Sequence, residues 1–365
     1  MKYKWLCVPL ALVLLLSGCG LFDGQYVRVT PREMSYNRDK AQTITVDNYL
    51  DLRARLLEMG ASGVESGVIL AENYDPDTLV ENMDMARRHI CMYDPIGAYA
   101  VEDVEYEIGT NGGSTAVAVS LTYRHRLSDI RSISQPKTEA ALERVILRSM
   151  ENYDARKVLL LSDLRNTDFA QLVQRLAQTY PQRIMECPAV SVGIYGKGSS
   201  WVVELTFTYE NSTDALRQMQ AQVQPVFDSA SLYVSGDGSD HQKFSQLYSF
   251  LMDRFHYSIE TSITPSYSLL RHGVGDSRAF ATVYAAMCRD AGLDCSIVVG
   301  TRAGEPWTWN IICDNGDYYH VDLLRCNSEG GFQEKTDFAM GGYVWDYSAY
   351  PVCGGSISQE ETEQK

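Results

Sequence analysis

Residues 104–123, VEYEIGTNGGSTAVAVSLTY, lie over residues 190–209, VSVGIYGKGSSWVVELTFTY, without a gap, and seven of the twenty positions are identical. Repetition at a fixed offset, here 86 residues, constrains a fold more than any single motif, because each copy must close the same local structure. Each copy reads as a β-hairpin, with apolar residues alternating along the second strand and Gly and Ser in the turn. The flanks repeat as well. Ahead of the first hairpin come a helix over 46–59, the apolar strand SGVILAEN and a helix over 77–92. Ahead of the second come a helix over 138–152, the strand RKVLLLSD and a helix over 167–180. Two tandem α-β-α-β-β repeats, 24–135 and 136–234, are the economical expectation. Neither holds a nucleophile beside a base, a phosphate loop or a metal cluster, so they read as a spacer or a binding platform.

A third series follows, predicted as the helix TDALRQMQAQVQPVF, the strand SLYV and the helix DHQKFSQLYSFLMDRF. The turn SGDGSD at 235–240 marks the expected domain boundary. The last residues, 354–365, are polar and acidic and read as a disordered tail. The formal charge of -15 makes nucleic acid an unfavourable partner, since phosphates would be repelled.

Residues 1–19 read as a leader rather than part of the fold. MKYKW is basic, LCVPLALVLLL is apolar but too short to span a bilayer, and Leu16-Ser17-Gly18-Cys19 puts small residues before a cysteine. The segment resembles a bacterial lipobox. That implies lipidation of Cys19, an extracytoplasmic address and a membrane partner reached through the acyl chains. Seven cysteines remain beyond Cys19, an odd number with no CxxC, and the six histidines are scattered. No metal site and no cofactor are therefore expected, and most thiols read as small buried hydrophobes.

The chemistry, if any, lies further on. SYSLLRHGVGDSRAFA (266–281) opens a helix that closes at DAGLDC; WTWN (307–310) and YYHVD (318–322) flank an Asn-Gly turn; GYVWDYSAYP lies near the end. From 241 to 353 these residues resemble the transglutaminase-like family, relatives of papain-type cysteine proteases. The fold class this implies is α+β, with a C-terminal transglutaminase-like/papain-like domain behind the two repeats. Carried over position by position, the resemblance puts Ser277 on the nucleophilic cysteine, Trp307 on the histidine base and Asp322 on the orienting acid. Only the acid is retained.

With Asn315 and Gly316 as a two-residue loop, Asp314 faces Asp317, Ile312 faces Tyr319 and Trp307 faces Leu324, one diagonal step from Asp322. Returning on the same strand, Cys326 is too far from Cys313 to bridge it. A histidine at 307 could be oriented by Asp322. An indole N–H accepts no proton, and a serine hydroxyl is a weak nucleophile without a base. His272 and His320 are the candidate replacement bases, and Cys288 reads as inert packing on the core side of the helix. The resulting expectation is a non-catalytic domain whose groove, lined by Trp307, Trp309, His320 and His272, holds a peptide, protein or cell-wall ligand. Two alternatives stay open: a weak serine-dependent amidase or acyltransferase using Ser277, and a purely structural cap.

Overall fold

The computed structural model describes residues 44–162, 167–259 and 264–354. The leader with Cys19 and nearly all of the acidic tail lie outside these residues. The first unit runs β1 (Ile44–Thr45), α1 (Tyr49–Ser62), β2 (Ser66–Leu70), α2 (Pro76–Arg88), α3 (Pro95–Ala100), β3 (Val101–Asn111) and β4 (Ser114–Tyr123). The second runs α4 (Leu127–Arg131), α5 (Glu139–Glu151), β5 (Arg156–Leu161), α6 (Phe169–Thr179), β6 (Ala189–Tyr195) and β7 (Trp201–Thr208). Asn48, Asp75, Thr138 and Asp168 cap their helices through side-chain oxygens, each worth about 1 kcal/mol.

The first sheet has the order β1-β2-β4-β3 and the second β5-β7-β6. In both, the last strand of the unit lies in the middle, antiparallel to the other two long strands. The hairpin registers coincide at the sequence offset: Glu107 faces Ala118 in one, and Gly193 faces Glu204 in the other. Each sheet buries one face under its helices. Leu52, Leu56, Leu79, Val104 and Val117 belong to one core, and Ile146, Leu159, Val173 and Leu205 to the next.

The remaining elements are α7 (Thr213–Tyr233), α8 (Asp240–Met252), β8 (His256–Tyr257), α9 (Pro265–His272), β9 (Val274–Gly275), α10 (Ser277–Asp290), β10 (Cys295–Arg302), β11 (Glu305–Asp314), β12 (Asp317–Val321), α11 (Leu323–Ser328) and β13 (Tyr343–Trp345). The expected strand SLYV does not form. It is the end of α7, because Leu216, Val223, Phe227 and Ala230 recur at helical spacing and all are buried. Those four side chains join the core built around α8 and α10. The turn at 235–240 therefore separates two helices of one core rather than two domains.

At the centre of that core, α10 is buried along nearly its whole length, from Ala279 to Cys288. A helix apolar on every side belongs inside. The antiparallel sheet β12-β11-β10-β13 covers it. Gly300 permits the close approach of β13: a Cβ there would lie 2.2 Å from the Val344 carbonyl oxygen. Arg289 at the end of α10 donates to the Thr179 carbonyl, joining this core to the second unit. Among the described residues all seven cysteines are free thiols; Cys288, Cys326 and Cys353 are buried, whereas Cys187 is exposed. No helix among the described residues is long and apolar enough to cross a membrane.

Candidate functional site

Three local decisions place Ser277. Gly273 ends α9 in the left-handed region at φ 81°. β9 then pairs in parallel with β8, and Asp276 caps α10 by accepting from the Ala279 N–H at 2.8 Å. Ser277 is thus the first residue of the helix, 8% exposed, and its Oγ accepts from the Thr308 N–H at 3.3 Å. No hydrogen bond to a side-chain base reaches it among the described residues.

The turn between β11 and β12 is the Asn315–Gly316 hairpin, with φ values of 52° and 90°, and Asp314 faces Asp317 and Ile312 faces Tyr319. Pairing then stops. The expected apposition of Trp307 with Leu324 is absent because β12 ends at Val321 and Asp322 caps α11 instead. Cys326 accordingly lies on a helix rather than on a returning strand.

Trp307 and Asp322 nevertheless meet. Trp307 Nε1 donates to Asp322 Oδ2 at 2.8 Å, and the Tyr343 hydroxyl donates to the same oxygen at 2.6 Å. Asp322 Oδ1 accepts from the backbone N–H groups of Leu324 and Arg325 at 3.1 and 3.2 Å. Arg302 Nη1 lies 3.5 Å from Oδ2, so a carboxylate only 2% exposed is surrounded by five donors. The Arg302 guanidinium also stacks over the Trp307 ring at 5.1 Å, and Tyr257 packs against that ring at 5.7 Å. Trp307, Tyr257, Arg302, His256 and Leu324 line a groove of about 300 Å³, and Ser277 does not line it. A larger cavity of about 880 Å³, bounded by Lys137, Asp168, Arg175 and Val299, contains none of these residues.

Two expected groove residues are elsewhere. Trp309 is 1% exposed and His320 0%, because residues from Met340 to Cys353 fold across their face of the sheet. Trp309 Nε1 donates to His320 Nδ1 at 2.9 Å. An indole nitrogen can only donate, so the imidazole proton sits on Nε2, 2.8 Å from Asp337 Oδ1. Burial lowers the His320 pKa, with Asp337 opposing only in part. His272 is exposed at the end of α9 and packs edge-on against Tyr267. Neither histidine is hydrogen-bonded to Ser277. Cys288 is fully buried, and burial holds its thiol well above the ordinary range.

Sequence reasoning misses Tyr257 and Arg302, which ordinary strand patterns carry; Tyr343 sits in the GYVWDYSAYP segment but with no sign of its bond to Asp322. Two groups could be weighed as metal ligands: His320 with Asp337 and Cys353, and His241 with Asp314 and Glu334. In the first, hydrogen bonds account for the potential ligands. His320 uses both nitrogens, Asp337 also accepts from the Cys353 N–H, and burial pushes the Cys353 thiol up to about 12.

Residues 229–331 match the transglutaminase-like superfamily. The chain is thus a mixed helix-and-sheet protein carrying a transglutaminase-like domain over residues 229–331. No curated protein matches the sequence. Among solved structures it is similar to a transglutaminase at 10% identity and TM-score 0.27, covering 55% of this chain and 64% of that one. It is also similar to a protein described as a cysteine protease from Cytophaga hutchinsonii, at 11% identity and TM-score 0.26, covering 45% and 70%. A third, described as a protease from Parabacteroides distasonis, shows 7% identity and TM-score 0.23, covering 58% and 48%. The chain spans less than two thirds of the first of these, and such distant likenesses locate no ligand and assign no activity.

Proposed function

We propose that this chain is a bacterial envelope lipoprotein, anchored through Cys19, whose transglutaminase-like domain binds a peptide, protein or cell-wall ligand without reacting with it. The observation that carries this reading is the bond from Trp307 to Asp322. The indole occupies the acid's lone pair as a donor and has nothing with which to take a proton. Acyl transfer through Ser277 needs a base within hydrogen-bond reach to take its proton, and the hydroxyl's contact is with the Thr308 N–H, a donor that can take none. Losing the base of such a set typically costs several orders of magnitude in rate.

The groove at Trp307 supports binding. An indole packed at a tilt against Tyr257 and crossed by Arg302 offers an apolar surface beside a cation, which suits an extended peptide or an amide-bearing fragment with a carboxylate. In this reading the N-terminal units are a duplicated spacer or platform. The test is a broad amide-hydrolysis and amine-transfer screen of the chain beside its Ser277→Ala variant. Silence from both is expected; turnover that disappears with Ser277→Ala would make the protein a serine enzyme and end this proposal.

A further inference from the structure

The histidines are scattered in sequence, yet the fold gathers one of them with two carboxylates outside the Trp307 site. His241 lies in the first turn of α8, Asp314 ends β11, and Glu334 follows α11. His241 Nδ1 is 3.1 Å from Asp314 Oδ2 and 2.8 Å from Glu334 Oε1, and the three ligand atoms lie within 4.8 Å of one another. The carboxylate side chains are only 7% and 17% exposed, while the imidazole is 52% exposed.

Two carboxylate oxygens compete for one imidazole nitrogen, while Asp314 Oδ1 accepts from the Asn315 side-chain amide at 2.9 Å. Nδ1 carries at most one proton, and two carboxylate oxygens face it. Among the described residues no Lys or Arg pairs with Asp314 or Glu334; the adjacent Lys335 turns to Glu329 at 2.6 Å. Asp317, opposite Asp314 across the turn, adds negative charge. Around His320, by contrast, each imidazole nitrogen has a single partner, Trp309 on Nδ1 and Asp337 on Nε2.

We propose that His241, Asp314 and Glu334 bind a divalent cation, with Zn²⁺ or a similar first-row ion favoured by the mixed imidazole and carboxylate set. Tetrahedral bonds of about 2.1 Å put ligand atoms about 3.4 Å apart, so Nδ1 would draw back by a few tenths of an ångström from the carboxylate oxygens now at 3.1 and 2.8 Å. The exposed side leaves room for water to complete the coordination. The ion would take the place of the shared proton and tie α8, the hairpin tip and the segment after α11 together.

The test is calorimetric titration of the full chain with ZnCl₂ after EDTA stripping and dialysis, near pH 7.5. The wild type should bind one ion at this site and gain in Tm on adding ZnCl₂. His241→Ala and the near-isosteric Glu334→Gln should each lose that binding step and that gain, with circular dichroism verifying the fold; zinc taken up by thiols would persist in both. If His241→Ala fails to fold, Glu334→Gln decides. No binding step in the wild type, or an unchanged one in the folded variants, overturns the proposal.

Discussion

Trp307 donates to Asp322 at 2.8 Å from the position where the family resemblance places a histidine base, so an acid that would orient a base instead holds an indole in place. The carboxylate is equally an anchor for Tyr343, Arg302 and the first turn of α11.

Asp322 should therefore matter for stability whether or not anything is catalysed. Asp322→Ala strands the buried Tyr343 hydroxyl and the half-buried Trp307 N–H and uncaps α11, and is expected to cost roughly 3 kcal/mol. Urea denaturation measures it; a loss below about 0.5 kcal/mol would contradict this structural role.

Refitting the site offers a second test. In the double variant Ser277→Cys/Trp307→His, the new thiol at a helix N-terminus with an imidazole nearby should ionise at lower pH than in Ser277→Cys alone. Alkylation by iodoacetamide near pH 6.5 should be about tenfold faster or more in the double variant. Equal rates would mean that positions 277 and 307 are not in reach of each other.

Gly300 is held by contact. Gly300→Ala drives a Cβ toward the Val344 carbonyl and the Trp309 ring and should cost roughly 1–3 kcal/mol. Gly236, with open space around it, supplies the comparison, and Gly236→Ala should change the denaturation midpoint little. Equal effects at both positions would show that the sheet yields.

His320 gives the fold a pH dependence of known sign. Its folded pKa lies below the unfolded value of about 6.5. Above that pH both states are neutral; below it the unfolded chain takes the proton first and stability is lost. His320→Gln keeps an acceptor and a donor but no titration, so its stability should fall less steeply than the wild type's from pH 7 to pH 5. His89 and His125 are lowered in the same direction and are common to both proteins, so they cancel in the comparison. Parallel curves would rule out the buried neutral imidazole.

Sequence pattern reads short-range structure well where a residue type is forced. Asn315–Gly316 can hardly do anything but turn, and its register follows. The α+β class and the transglutaminase-like domain are also legible from spaced motifs. What covers a strand face is not: Trp309 shares a face with Trp307, yet Met340 and Trp345, far along the chain, close over it. SLYV fails for another reason, since a four-residue apolar run carries no period of its own and the stripe from Leu216 to Ala230 decides it. His241 meets its carboxylates only through tertiary folding, across 73 and 93 residues.

The burial of α7 in the C-terminal core has a practical sequel. A protease that nicks the chain in the turn at 235–239 should release nothing under native conditions. Leu216, Val223, Phe227 and Ala230 would keep the two fragments associated, and separating them would take denaturant. A C-terminal piece begun at residue 241 would lack that stripe, expose the apolar surface of α8 and α10 beneath it and aggregate, whereas one begun near Ser212 carries its own lid.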